Sequence, residues 1–197
     1  VEIIEVSERH DGVAGKFKFA KFVVTAILLT LASAVRAELY MEVGFQGGGD
    51  TLISTTSGEG LYTAGGFKFA IGVQNKVGKN GETLSFSLGS LSEEIDTPNG
   101  TAEISTLNLD AIYSYRIFNH RFGFGASYHI DPTYKDNIVG SSPFKIDFDD
   151  ALGLILQYSY VWNSRFQIST RYTLMDYEAS GLSLDASSFG IFISNGF

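Results

Sequence analysis

From Leu39 onward the chain alternates apolar and polar residues in eight separate runs, and this period of two constrains its fold more than any other feature. Successive side chains of a β-strand point to opposite faces, so alternation means strands with one apolar and one polar side. The runs cover residues 39–46, 67–74, 84–89, 107–117, 122–130, 152–160, 166–174 and 188–197. In the fourth, Leu107, Leu109, Ala111, Tyr113, Tyr115 and Ile117 oppose Asn108, Asp110, Ser114 and Arg116. Ile112, Ile155 and Phe192 are apolar exceptions on the polar side.

The connections alternate in length. Those after the second, fourth and sixth runs are short, at 78–81, 119–120 and 162–164. Those after the first, third, fifth and seventh are longer, at 47–60, 92–102, 131–146 and 178–185. Short turns at one end and long loops at the other are the pattern of a transmembrane barrel. An even strand number returns both ends of the barrel to the short-turn side.

Alternation alone does not say which face points out. A soluble eight-stranded barrel keeps its apolar side chains inside and its charges outside. Here the apolar face carries almost no charge, and the polar face is mostly Gly and Ser. Gly44, Gly66, Gly72, Gly89, Gly123, Gly125, Gly153 and Gly190 all have polar-face parity. An eight-stranded interior is narrow, and glycines there make room for Tyr40, Phe192 and long charged side chains. The expected lumen is therefore polar and the expected exterior faces lipid. Tyr113, Tyr115, Tyr158 and Tyr160 near the short turns, with Tyr128 and Tyr172 towards the long loops, form two expected aromatic girdles.

Residues 1–37 read differently. Lys16, Lys18 and Lys21 precede an apolar run over 22–34, and small residues lead to Val35-Arg36-Ala37. This is the order of a secretory signal peptide, with cleavage expected after Ala37. At ~1.5 Å per residue the apolar run reaches roughly 20 Å, short of a ~30 Å hydrocarbon core. Glu2, Glu5, Glu8 and Asp11 are acidic where an n-region is basic, so the expected translation start lies downstream of them. The expected organisation is thus an extension plus signal peptide over 1–37 and one barrel domain over 38–197. Residues 1–37 hold five of the 14 basic and four of the 22 acidic residues, which leaves the remainder near −9. That charge argues against nucleic acid as a partner. With no Cys, disulfides, thiol catalysis and thiolate metal sites are excluded.

On these residues the chain from Glu38 to Phe197 resembles the small outer-membrane β-barrel superfamily, the OmpA-barrel, OmpX and OmpW group. In that family the last strand ends in Phe, with apolar residues at alternate positions. Phe189, Ile191, Ile193 and Phe197 match that pattern, and Asn195 departs from it. The resemblance implies an all-β, eight-stranded, antiparallel, up-and-down barrel in the outer membrane of a Gram-negative cell. It implies recognition of the last strand by the assembly machinery, and as partners periplasmic chaperones, membrane lipid and lipopolysaccharide. It is poor for function, because such barrels include adhesins, conduits, enzymes and anchors.

Three groups of residues are candidates for chemistry. Glu42, Lys68, Asp110, Arg116, His129 and Arg171 share the polar face, and charges buried there must pair. They read as a network that closes the lumen, or alternatively as a gate or proton path. Ser127 and His129 raise the question of a lipid A deacylase of the PagL type. In that family His precedes Ser by two and both face lipid; here Ser comes first and both have lumen parity. Asp147, Asp149 and Asp150, with Glu93, Glu94 and Asp96, are carboxylates suited to hard cations, or plain solvated loop edges. No cofactor, metal or catalytic site is expected. The expected function is a non-enzymatic outer-membrane protein with a closed polar lumen and interacting loops. A narrow OmpW-like conduit for small or apolar molecules is the alternative, and a lipid A-modifying enzyme a third.

Overall fold

The computed structural model describes residues 37–54, 60–78, 81–97, 100–137, 143–163 and 165–197. The basic and apolar parts of the expected signal peptide, and the acidic extension before them, lie outside the described residues. The unit from Glu38 to Phe197 is all-β, with no helix among its described residues.

Eight long strands form its wall: β1 (Glu38–Gly47), β4 (Gly66–Lys76), β5 (Thr83–Thr97), β6 (Gly100–Ile117), β7 (His120–Asp136), β9 (Ala151–Val161), β10 (Phe166–Leu174) and β13 (Ser188–Gly196). Each pairs antiparallel with its sequence neighbour in the wall. β1 pairs with β13, in register from Tyr40 opposite Gly196 to Gly47 opposite Phe189, and this seam closes the barrel. Closure leaves the eight-stranded wall without a free edge strand.

Burial is inverted relative to a protein built for water. Glu42, Lys68, Asp110 and Arg171 are 2–3 % exposed, whereas Leu39, Phe45, Phe124, Leu152 and Leu154 are 60–70 % exposed. Every wall strand shows this alternation. An uncharged apolar belt of that extent far exceeds the patches tolerated by soluble monomers, and it is the exterior of a transmembrane barrel. The soluble-barrel arrangement is thus reversed here. Ile112, Ile155 and Phe192, the three exceptions, all turn inward and are 1–3 % exposed. Glycine is needed where rings enter the lumen. A Cβ on Gly72 would sit 2.7 Å from the Tyr40 ring, and one on Gly190 2.6 Å from the Phe192 ring.

The long connections are largely strands rather than loops. β2 (Thr51–Ser54) pairs with β3 (Gly60–Tyr62), and β11 (Asp176–Ala179) with β12 (Leu182–Asp185). β8 (Phe144–Asp147) returns along the end of β7, and β5 and β6 stay paired up to Thr97 opposite Gly100. In this crown the apolar side of the chain changes places. On β5, Leu84, Phe86 and Leu88 point outward, while Leu91 and Ile95 point inward. On β6, Ala102 and Ile104 point inward, while Leu107 and Leu109 point outward. β7 makes the change through a bulge. Asp131, at φ 46°, adds a residue opposite the Ser105–Leu107 step, and Pro132 and Tyr134 then turn inward. Leu61, Tyr134, Phe148, Met175 and Tyr177 join Ala102 and Ile104 in one buried apolar core at the long-loop end. The change of side has a simple cause. Where the exterior is lipid, apolar groups face out; where it is water, they face in.

Candidate functional site

Below the apolar core lies a cluster of four charges. Arg171 of β10 donates from Nη2 to both carboxylate oxygens of Glu42 of β1, at 2.9 and 3.0 Å. Its Nη1 reaches Asp110 Oδ2 of β6 at 3.1 Å, and its Nε reaches Gln157 Oε1 of β9 at 2.9 Å. Lys68 of β4 donates to the same Asp110 oxygen at 2.6 Å. The other oxygen of Asp110 accepts from Ser127 Oγ of β7 at 2.6 Å and from Asn108 Nδ2 at 3.2 Å. The ring of Phe192, on β13, lies under both cations, 4.6 Å from the Arg171 guanidinium carbon and 5.8 Å from Lys68 Nζ.

Two cations and two carboxylates balance, so the cluster is neutral although each member is buried. Removing a charge from water costs several kcal/mol per ion, and pairing offsets this only when geometry is good and the remaining donors and acceptors are used. Arg171 donates on three nitrogens and Asp110 accepts on both oxygens; among the described residues only Asn108 Oδ1 is left without a partner in this cluster. The partners come from seven wall strands, so the cluster braces the wall and fills its cross-section.

The six expected lumen residues do not all meet. Glu42, Lys68, Asp110 and Arg171 come together. His129 stands nearer the long-loop end, with Nδ1 2.6 Å from the Tyr177 hydroxyl, at the boundary with the apolar core. Arg116 lies at the short-turn mouth, where its Nε donates to the Phe118 carbonyl at 2.6 Å. Arg121, absent from the sequence-based set, is instead the buried cation near that mouth, held by Gln74 and Gln167 at 2.8 and 3.0 Å. Its lumen parity next to Gly123 was the available signal. Phe189, Ile191, Ile193 and Phe197 all lie on the outward side of the β13 segment and are 44–67 % exposed.

No hydrogen bond joins Ser127 to His129. Ser127 donates to Asp110 and His129 contacts Tyr177, and both are buried in the lumen. Three of the six candidate crown carboxylates, Glu93, Asp147 and Asp150, have protein partners. Asp147 is bound by Lys145 at 2.7 Å and by Thr133 at 3.1 Å, and the Lys145 bond holds its carboxyl below the usual range. Asp150 takes the Tyr128 hydroxyl at 2.8 Å and the Asp131 amide at 3.0 Å. Among the described residues no group of three or more His, Asp or Glu side chains is placed to hold a metal ion.

No protein-family model matches the chain, and the search of curated proteins finds no relative. Solved structures do match in fold. Neisserial surface protein A (NspA) aligns at a TM-score of 0.54 with 12% identity, over 82% of this chain and 97% of that one. Ail, the attachment invasion locus protein of Yersinia pestis, aligns at 0.53 with 10% identity over the same shares, in a complex with the heparin analogue sucrose octasulfate. At such identities the likeness is one of fold: this chain is a closed, eight-stranded, antiparallel barrel that resembles theirs.

Proposed function

We propose that this chain is a non-enzymatic integral outer-membrane protein with a closed lumen, whose crown of hairpins contacts the envelope or the cell's surroundings. The observation that carries this reading is the Glu42–Arg171–Asp110–Lys68 cluster, which crosses the barrel under a packed apolar core. An eight-stranded barrel is only wide enough for side chains to fill it, and these do. With the short turns in the periplasm the crown is extracellular, next to lipopolysaccharide. Periplasmic chaperones and the barrel-assembly machinery then act on a last strand that displays Phe189, Ile191, Ile193 and Phe197.

Crown charge speaks to the kind of contact. Glu94, Asp96, Asp149, Asp176 and Glu178 are exposed there, against Lys135 and Lys145 as the exposed cations. Ail was solved with a polysulfated heparin analogue; an acidic crown repels such a ligand and favours cationic partners. The conduit reading has less support, because the apolar residues at the long-loop end pack on one another. The lipid A enzyme reading has least, because Ser127 and His129 are engaged inside the barrel.

Planar-bilayer recording tests the closed lumen. The wild-type protein is expected to give no steady wide-pore current. Arg171→Ala, which empties the centre of the cluster, is the variant expected to pass small ions. Porin-sized steps from the wild type would put the conduit reading first.

A further inference from the structure

We propose that the short-turn mouth of the barrel binds a phosphate group between Arg121, Arg116 and Ser194. A cavity of ≈110 Å³ opens there, lined by these residues together with Lys76, Arg165 and Glu38. A single water needs roughly 10–15 Å³ of such space, so a group of several heavy atoms fits.

Two independent observations point to an anion. The first is charge. Lys76, Arg116, Arg121 and Arg165 line the cavity against one carboxylate, Glu38, which is tied to Lys76 at 3.2 Å. This is a local excess of positive charge in a chain whose net charge is −8. Arg116 and Arg121 are register partners on β6 and β7, so two like charges face each other directly across a strand pair. That placement is destabilising unless something negative lies between or beside them. The second is unspent hydrogen bonding. Arg121 is 9 % exposed, and its Nε has no partner among the described residues. Ser194 is 2 % exposed, and its Oγ has none either. Both line this cavity. Arg171, the other buried guanidinium of the lumen, holds two carboxylates; Arg121 holds two neutral amides. Among the described residues no carboxylate bonds Arg121, and Glu38, the acid in the same cavity, is already paired with Lys76.

A phosphate suits such a site because the guanidinium fork offers parallel donors to two of its oxygens, and Ser194 offers a third donor. The group can come from soluble phosphate or from the headgroup of an anionic phospholipid reaching into the mouth. The proposal needs the folded barrel but not the closed lumen or any role of the crown, so it stands or falls apart from the conductance result.

The test uses the folded protein in nanodiscs of phosphatidylcholine, titrated with inorganic phosphate by calorimetry and ³¹P line broadening. In parallel, nanodiscs doped with phosphatidylglycerol are analysed by native mass spectrometry for retained lipid. Saturable one-site binding of phosphate supports the proposal with a soluble source. Retention of phosphatidylglycerol without phosphate binding supports it with a lipid source. In either arm Arg121→Gln is expected to weaken binding about tenfold or more, the scale of a lost charge-assisted hydrogen bond. Lys145→Gln, at the other end, leaves binding unchanged. If Arg121→Gln does not fold, Arg116→Gln and Ser194→Ala carry the same expectation at surface and hydroxyl. Absence of both ligands from the wild type overturns the proposal, and so does binding that none of the three variants weakens.

Discussion

Arg171 sits in the lumen with every nitrogen engaged, and its replacement shows what a buried charge costs when its partner is left behind. Arg171→Ala strips Glu42 of both its bonds and leaves the cluster with an uncompensated negative charge. We expect a loss of about 3–5 kcal/mol, the usual penalty for breaking one side of a buried pair. Glu42→Gln together with Arg171→Gln keeps the cluster neutral, since Asp110 still holds Lys68. That double variant is expected to cost less than the two single changes added together. Urea unfolding in lipid vesicles measures all three. At this scale the sequence was legible as a set of lumen-facing charges, because parity alone places Glu42, Lys68, Asp110 and Arg171 on one side. It could not say which would touch. Arg116 shares their parity yet lies too near the turn at Phe118 to reach them, and height along a tilted strand depends on barrel shear, which alternation does not carry. Arg121 escaped notice because it follows a two-residue turn and looks like a turn cation.

Strands were legible wherever the exterior is lipid. There an unbroken apolar side, such as Leu152, Leu154, Leu156 and Tyr158 on β9, makes the period of two plain. The crown strands were read as loops for a physical reason rather than for lack of pattern. Above the belt the apolar side moves from outside to inside, so β5 runs Leu84, Phe86, Leu88 and then Leu91, Ile95, which breaks a period counted on one parity. On β7 the Asp131 bulge adds a residue and breaks it again. Composition hides the rest, since Glu93, Glu94 and Asp96 suggest a solvated loop. The belt itself can be tested by charge. Leu154, 65 % exposed at the middle of β9, should not accept a cation. Leu154→Arg is expected to cost roughly 2–4 kcal/mol in lipid vesicles, and Leu154→Ala far less. Ser114→Arg escapes the lipid penalty, though it crowds the interior. Equal tolerance of Arg and Ala at 154 would mean that the exterior is not lipid.

At the scale of the whole molecule, one solvent change organises everything: lipid around the belt, water around the crown, and a dry polar cluster inside. The fold, its strand number and its inward face followed from the alternation of eight runs. The two-storey interior did not, because it depends on where along each strand the surroundings switch. The absence of Cys makes that switch directly measurable, since a nitroxide can be attached at single introduced cysteines without interference. β5, like β6 and β7, spans all three environments. In lipid vesicles, labels at Phe86 and Leu88 should collide with oxygen and be shielded from a water-soluble nickel complex. Labels at Ser92 and Glu94, on the same outward face a turn of the pleat higher, should show the reverse. Labels at Ser87 and Leu91 should be shielded from both. Nickel access at all four outward positions would contradict the account, because the apolar belt would then face water and the barrel would not span a membrane.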